Sequence, residues 1–88
     1  MSAECGVWLA HQDFSGDDLS PEWGVPTQEE CWDFCDALEG CNAVTYNPLH
    51  GRCYMKAIAE DKVANANTDY DSKRRCEPGE VFPHRILL

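Results

Sequence analysis

Six cysteines in a chain of 88 residues constrain its fold more than any other feature. Three of them, Cys31, Cys35 and Cys41, fall within one short stretch, TQEECWDFCDALEGC. The full spacing is C-x25-C-x3-C-x5-C-x11-C-x22-C. Structural zinc asks for paired C-x2–4-C knuckles or for cysteine with histidine. Here only Cys31 and Cys35 are that close, and His11, His50 and His84 are scattered as ordinary surface or loop histidines. No C-x-x-C is present, so thiol redox exchange lacks its motif. What remains is an even set, all paired, in an oxidising compartment. Size makes the same demand, because a single domain of this length supplies only about 3–5 kcal/mol of net stability without staples.

Charge removes further classes. Lys and Arg number 7 against 16 Asp and Glu, a net charge of −9. Such a surface repels phosphate backbones and anionic lipid, so nucleic acid is not an expected partner. No apolar run approaches the ~20 residues of a membrane span, and membrane insertion is not expected. The start, MSAECGVWLA, lacks the basic beginning and long apolar stretch of a secretory leader. The cysteines nevertheless point to a secreted or cell-surface protein, and we expect the chain to be one module of a larger multidomain protein.

Local signals set the elements. ECGVWLAHQDFSG, with Val7, Leu9 and Phe14, suggests one or two short strands. Residues 16–26, GDDLSPEWGVP, read as a turn-rich acidic loop. Thr27 and Glu30 form a T-x-x-E capping box, and Gly40 is a C′ stop, which predicts a helix over about 27–39. Cys31, Phe34, Cys35 and Leu38 recur at i, i+3, i+4 and i+7, so they predict its inward face. NAVTYN and RCYMKA, separated by PLHG, predict a hairpin with Val44 and Tyr46 on one face and Cys53 and Met55 inward. Residues 60–72 are poor in large apolar side chains and read as a long exposed loop with one strand or turn inside it. KRRCEPGEV reads as a closing strand, and the apolar residues 81–88 as a tail or the start of a linker after a single domain over 1–80.

Six cysteines allow 15 pairings, and spacing alone selects none of them. Helix geometry prunes the set. Cys31 and Cys35 point the same way one turn apart, so a bridge between them would distort the helix. Cys41, just past the helix end, lies within reach of Cys35. Cys53 could then meet Cys31, which leaves Cys5 with Cys76.

The run from EEC through TYN to GRCYMK, with FSGDDL before it and DSKRRC after it, resembles the PAN/apple domains over about residues 5–76. The resemblance implies the same pairing: Cys5–Cys76, Cys31–Cys53 and Cys35–Cys41. It also implies a small disulfide-rich α+β fold, a curved antiparallel sheet of about five strands packed on one α-helix. Such modules are adhesive and not enzymes on their own, and different members bind proteins, heparin, collagen, galactosides or cellulose. The resemblance therefore leaves the ligand open.

No nucleophile sits in a recognisable catalytic motif, so no catalytic residue and no cofactor is expected. DYD with NANTD lacks the spacing of a calcium loop, and no metal site is expected. Sugar recognition needs an aromatic platform and planar hydrogen-bonding groups. The hairpin supplies both in Asn47, His50, Arg52, Tyr54 and Lys56, with Asp69 and Tyr70 of the 60–72 segment as flanks. Strand alternation sets Tyr54 and Lys56 outward and Tyr46 inward with Val44. The expected function is lectin-like binding of a galactoside or cell-wall polysaccharide. The alternative is a protein–protein module whose acidic surface meets a host or extracellular-matrix protein, with Trp23 as an anchor. Trp8, Trp23 and Trp32 otherwise serve to cover the edges of a small core, with Trp32 partly exposed. Heparin is disfavoured, since only residues 73–75 and the Arg52/Lys56 pair are basic clusters.

Overall fold

The computed structural model describes residues 4–79; the tail expected over 81–88 lies outside them. Five strands and one helix follow in the order β1 (Leu9–Asp13), β2 (Trp23–Gly24), α1 (Gln28–Ala37), β3 (Ala43–Asn47), β4 (Arg52–Lys56) and β5 (Asn65–Arg74). The strands form one sheet in the order β1-β5-β3-β4-β2, with every neighbouring pair antiparallel. No helix among the described residues is long and apolar enough to cross a membrane.

The helix begins as its capping box predicts. Thr27 is extended, with ψ 155°, and its side chain accepts the Glu30 N–H at 3.1 Å. The helix stops at Ala37, two residues earlier than expected, because Leu38 is already extended and Gly40 turns the chain at φ +86°. That reversal sets Cys41 back beneath the last turn, where it bridges to Cys35. Cys31 bridges to Cys53 of β4, and Cys5 to Cys76, a closure spanning 71 residues. The three disulfides account for all six cysteines, as the helix geometry and the resemblance both indicated.

Packing follows from alternation along β3 and β4. Val44, Tyr46, Cys53 and Met55 face α1 and, with Val25, Cys31, Cys35 and Cys41, form the main core. The Tyr46 hydroxyl, buried within it, donates to the Val25 carbonyl at 2.9 Å. Phe34 departs from its expected inward place and is 46% exposed. It lies at the margin of the helix's buried stripe, where the sheet edge offers only the two residues of β2. Trp32 is half-buried against the core beside Trp8 and Leu38.

Across the sheet a second, smaller core gathers Phe14, Ala43 and Ile58, with Leu9 and Ala64 against it. It explains the second departure. Lys56 does project away from Met55, as alternation requires, but it is only 3% exposed there. The 14–19 segment lies over it, and its ammonium donates to the Gly16 carbonyl at 2.8 Å and to Asp18 at 2.7 Å.

The 60–72 segment holds the strand expected inside it, but the strand's extent is the third departure, since β5 occupies 65–74, is the longest strand and replaces most of the expected loop. Its few apolar residues concealed it, because much of its burial is of Ser72 and Arg74. Against β1, Ala10 faces Asp71 whereas Gln12 faces Ala66, so residues 67–70 are accommodated opposite His11 alone. His11 meets this irregularity with a left-handed backbone, φ +59°, and its N–H donates to Asp71 Oδ1 at 3.0 Å. Residues 16–26, expected as loop throughout, also contribute β2, which pairs with Arg52 and Cys53.

Candidate functional site

The sheet face away from the helix carries a groove at the β3–β4 turn. Five of the residues expected from the sequence come together there. Asn47, His50, Arg52, Tyr54 and Tyr70, with Glu22, line a hollow of about 370 Å³. Asn47 ends β3, and its side-chain oxygen accepts the N–H groups of Leu49 and His50 at 3.0 and 3.2 Å, which holds the turn. The turn closes at Gly51, whose φ is +63°; a Cβ there would stand 2.9 Å from the Val25 carbonyl oxygen. This close approach lets the Val25 N–H reach the Gly51 carbonyl at 2.8 Å, and so brings the 20–25 segment alongside the hairpin.

Glu22 arrives with that segment and organises the groove. One carboxylate oxygen pairs with Arg52 at 2.6 Å, and the other accepts the Tyr54 hydroxyl at 2.6 Å. The hydrogen bond to Glu22, then burial and the Glu22 charge, push the Tyr54 phenol up to about 12, while Arg52 opposes the shift. Glu22 escaped the sequence reading because nothing in GDDLSPEWGVP sets it apart from its acidic neighbours. Only the register Trp23↔Cys53 and Gly24↔Arg52 places it beside the hairpin.

Tyr70 reaches the groove from the other side. The β5 irregularity delivers its ring edge-on to Tyr54, with centroids 6.1 Å apart and planes at 84°. The two rings also border a second hollow of about 180 Å³ lined by Asp13, Ser15, Gly16, Thr45 and Lys56. Thr45 and Ser72 share a hydrogen bond of 2.8 Å within this face. Asp69 lines neither hollow and stays exposed, with its N–H turned to the Asn67 side chain. Lys56 borders the second hollow but is committed to Asp18 and Gly16.

The basic side chains are engaged elsewhere. Lys62 pairs with Asp17 at 3.0 Å and Arg75 with Asp36 at 2.7 Å. Lys73 lies 4.5 Å from the Trp32 ring centre, Arg75 covers the same ring at 5.1 Å, and Arg74 is buried. Among the described residues no group of three or more His, Cys, Asp or Glu side chains is placed to hold a metal ion.

The model of the PAN domain family matches residues 7–77. The chain belongs to the PAN domain family. The helix on a five-stranded antiparallel sheet, stapled by three disulfides, is the fold this membership implies. No curated protein matches the chain. PAN domains are protein- or carbohydrate-binding modules and are typically non-catalytic. The three disulfides and the PAN domain together point to an extracellular protein.

Proposed function

We propose that this PAN domain is a non-catalytic adhesion module, secreted or held at a cell surface as one unit of a larger protein. It binds carbohydrate, a galactoside or a cell-wall polysaccharide, through the groove between Tyr54, Tyr70 and the β3–β4 turn. The observation that carries the reading is the Glu22–Arg52–Tyr54 arrangement. It presents a fixed carboxylate, a guanidinium and a ring face in one hollow, and its two charges cancel. Vicinal hydroxyls are recognised by such planar donors and acceptors, and the C–H face of a pyranose by an aromatic ring. Asn47 and His50 add hydrogen-bonding groups at the rim.

A neutral groove on a protein of net charge −9 favours an uncharged sugar over a polyanion. The engagement of Lys56, Lys62, Arg52 and Arg75 with carboxylates also argues against heparin. The test is a glycan and cell-wall polysaccharide array probed with oxidatively folded protein at two salt concentrations. Binding to one class of neutral sugar that is insensitive to salt supports the reading. A blank array from folded protein sinks it.

A further inference from the structure

The opposite face of the sheet, where α1 packs, exposes apolar surface that the proposed sugar groove does not use. Phe34 and Trp23 are 46% and 49% exposed. Their rings stack on each other with centroids 6.1 Å apart and planes at 17°. Trp23 reaches this side because it faces Cys53 across the β2–β4 pair, whereas its neighbour Glu22 turns to the groove. Phe34 and Ala37 border two hollows. One, of about 210 Å³, is walled by Ser20, Trp23, Phe34, Ala37, Leu38 and Met55. The other, of about 320 Å³, is walled by Phe34 and Ala37 and edged by Glu30 and Asp33.

The charge around this apolar floor is of one sign. From Thr27 to Gly40 the chain carries Glu29, Glu30, Asp33, Asp36 and Glu39 and no Lys or Arg. Asp36 is paired with Arg75, while Glu29, Glu30, Asp33 and Glu39 form no ion pair among the described residues. Glu29 and Glu30 suit the helix N-terminus, but Asp36 and Glu39 stand at the end where the helix dipole disfavours carboxylates. The acidic edge therefore does not serve the stability of the helix throughout. Stacked aromatics at the centre and uncompensated charge at the rim are the two parts of a recognition surface.

We infer that the Trp23–Phe34 face docks a cationic segment of a partner protein, one that places a bulky apolar side chain beside the stacked rings and Lys or Arg residues against Glu30 and Asp33. Charge decides among the occupants. A second copy would bring two acidic rims together, and anionic lipid would be repelled by the same carboxylates. A neutral sugar would leave those carboxylates uncompensated. The inference does not rest on the groove, since the two sites use opposite faces of the sheet and share no residue.

The test pans a displayed library of random 12-residue peptides against the folded protein at low salt, then measures the affinity of the enriched peptides. Enrichment of aromatic or aliphatic residues flanked by Lys or Arg is expected. Their affinity should fall roughly tenfold in Phe34→Ser and about threefold in Asp33→Asn and in Glu30→Gln. It should also weaken steeply with salt in the wild type and less steeply in the two charge variants. These are exposed positions, and an unchanged thermal melt of each variant shows that the fold is intact. No enrichment, enrichment without basic residues, or affinity indifferent to Phe34→Ser overturns the inference. So does concentration-dependent self-association in sedimentation that Phe34→Ser abolishes, since the occupant would then be a second copy.

Discussion

Tyr54 donates its hydroxyl to Glu22 Oε2 at 2.6 Å, joining two residues 32 positions apart in the chain. The bond ties the proposed sugar platform to the segment that precedes β2, and it sets the ionisation of the phenol. The unfolded chain releases a tyrosine proton near pH 10, about the ordinary value. Folded Tyr54 holds its proton to about 12. Between those values the unfolded state binds fewer protons than the folded state, so stability present below pH 10 declines as pH rises towards 12. Tyr46 is raised as well, by its burial and then by the charges of Glu30 and Glu29, so the Tyr54 transition is isolated by comparing ultraviolet titrations of the wild type and Glu22→Gln. Glu22→Gln should bring the Tyr54 transition down towards 10, and a titration curve that the substitution leaves unchanged would refute the assignment.

Removing either partner of Glu22 should weaken carbohydrate binding without unfolding the domain. Arg52→Ala and Tyr54→Ala are each expected to cost about 1.5 kcal/mol of binding, roughly tenfold in affinity. Tyr54→Phe keeps the ring and should lose less. Asp69→Ala, outside both hollows, should leave affinity unchanged. Isothermal titration with the sugar selected on the array checks all four, and indifference to Arg52→Ala and Tyr54→Ala would move the site elsewhere.

Lys56 should behave as a structural residue. Its side chain is 4% exposed, and its ammonium is held by Asp18 and the Gly16 carbonyl. Lys56→Ala leaves the Gly16 carbonyl and Asp18 without their cation and is expected to lower unfolding stability by about 2–3 kcal/mol. Lys56→Met should lose less, because the aliphatic stem stays packed. Urea denaturation reads the difference, and sugar affinity at low denaturant should remain near that of the wild type.

The disulfides should differ in weight by the loops they close. Cys5–Cys76 spans 71 residues and Cys35–Cys41 spans 6. In the chain-entropy account the first contributes about 4 kcal/mol and the second about 2. Replacing each pair by serines and comparing melting temperatures should give the larger drop for the terminal clasp. Equal drops would show that local packing, and not loop closure, governs these bridges.

Elements carrying local signals were legible in the chain. Thr27 and Gly40 mark the helix and the reversal after it, because capping chemistry acts within four residues. Val44, Tyr46, Cys53 and Met55 show the inward face of the hairpin, because strand alternation has a period of two. The same pattern set Tyr54 and Lys56 outward; Tyr54 lines the hollow with Asn47, His50, Arg52 and Tyr70, whereas Lys56 is buried and Asp69 lines neither hollow. β5 was less legible, since its residues bury mostly polar groups and carry a four-against-one irregularity at His11.

The disulfide-stapled class, the helix, the hairpin and the face on which Tyr54 stands are written in the chain itself. All of these follow from cysteine number and from short-range periodicity. Three placements arise from long-range packing instead: Glu22 sits between Arg52 and Tyr54, Phe34 stacks outside on Trp23, and Lys56 is buried beneath the 14–19 segment. Each depends on which segments cross the sheet edge and how far they reach. Those positions are set by long-range register and by the close approach of Val25 to Gly51, which no local pattern encodes.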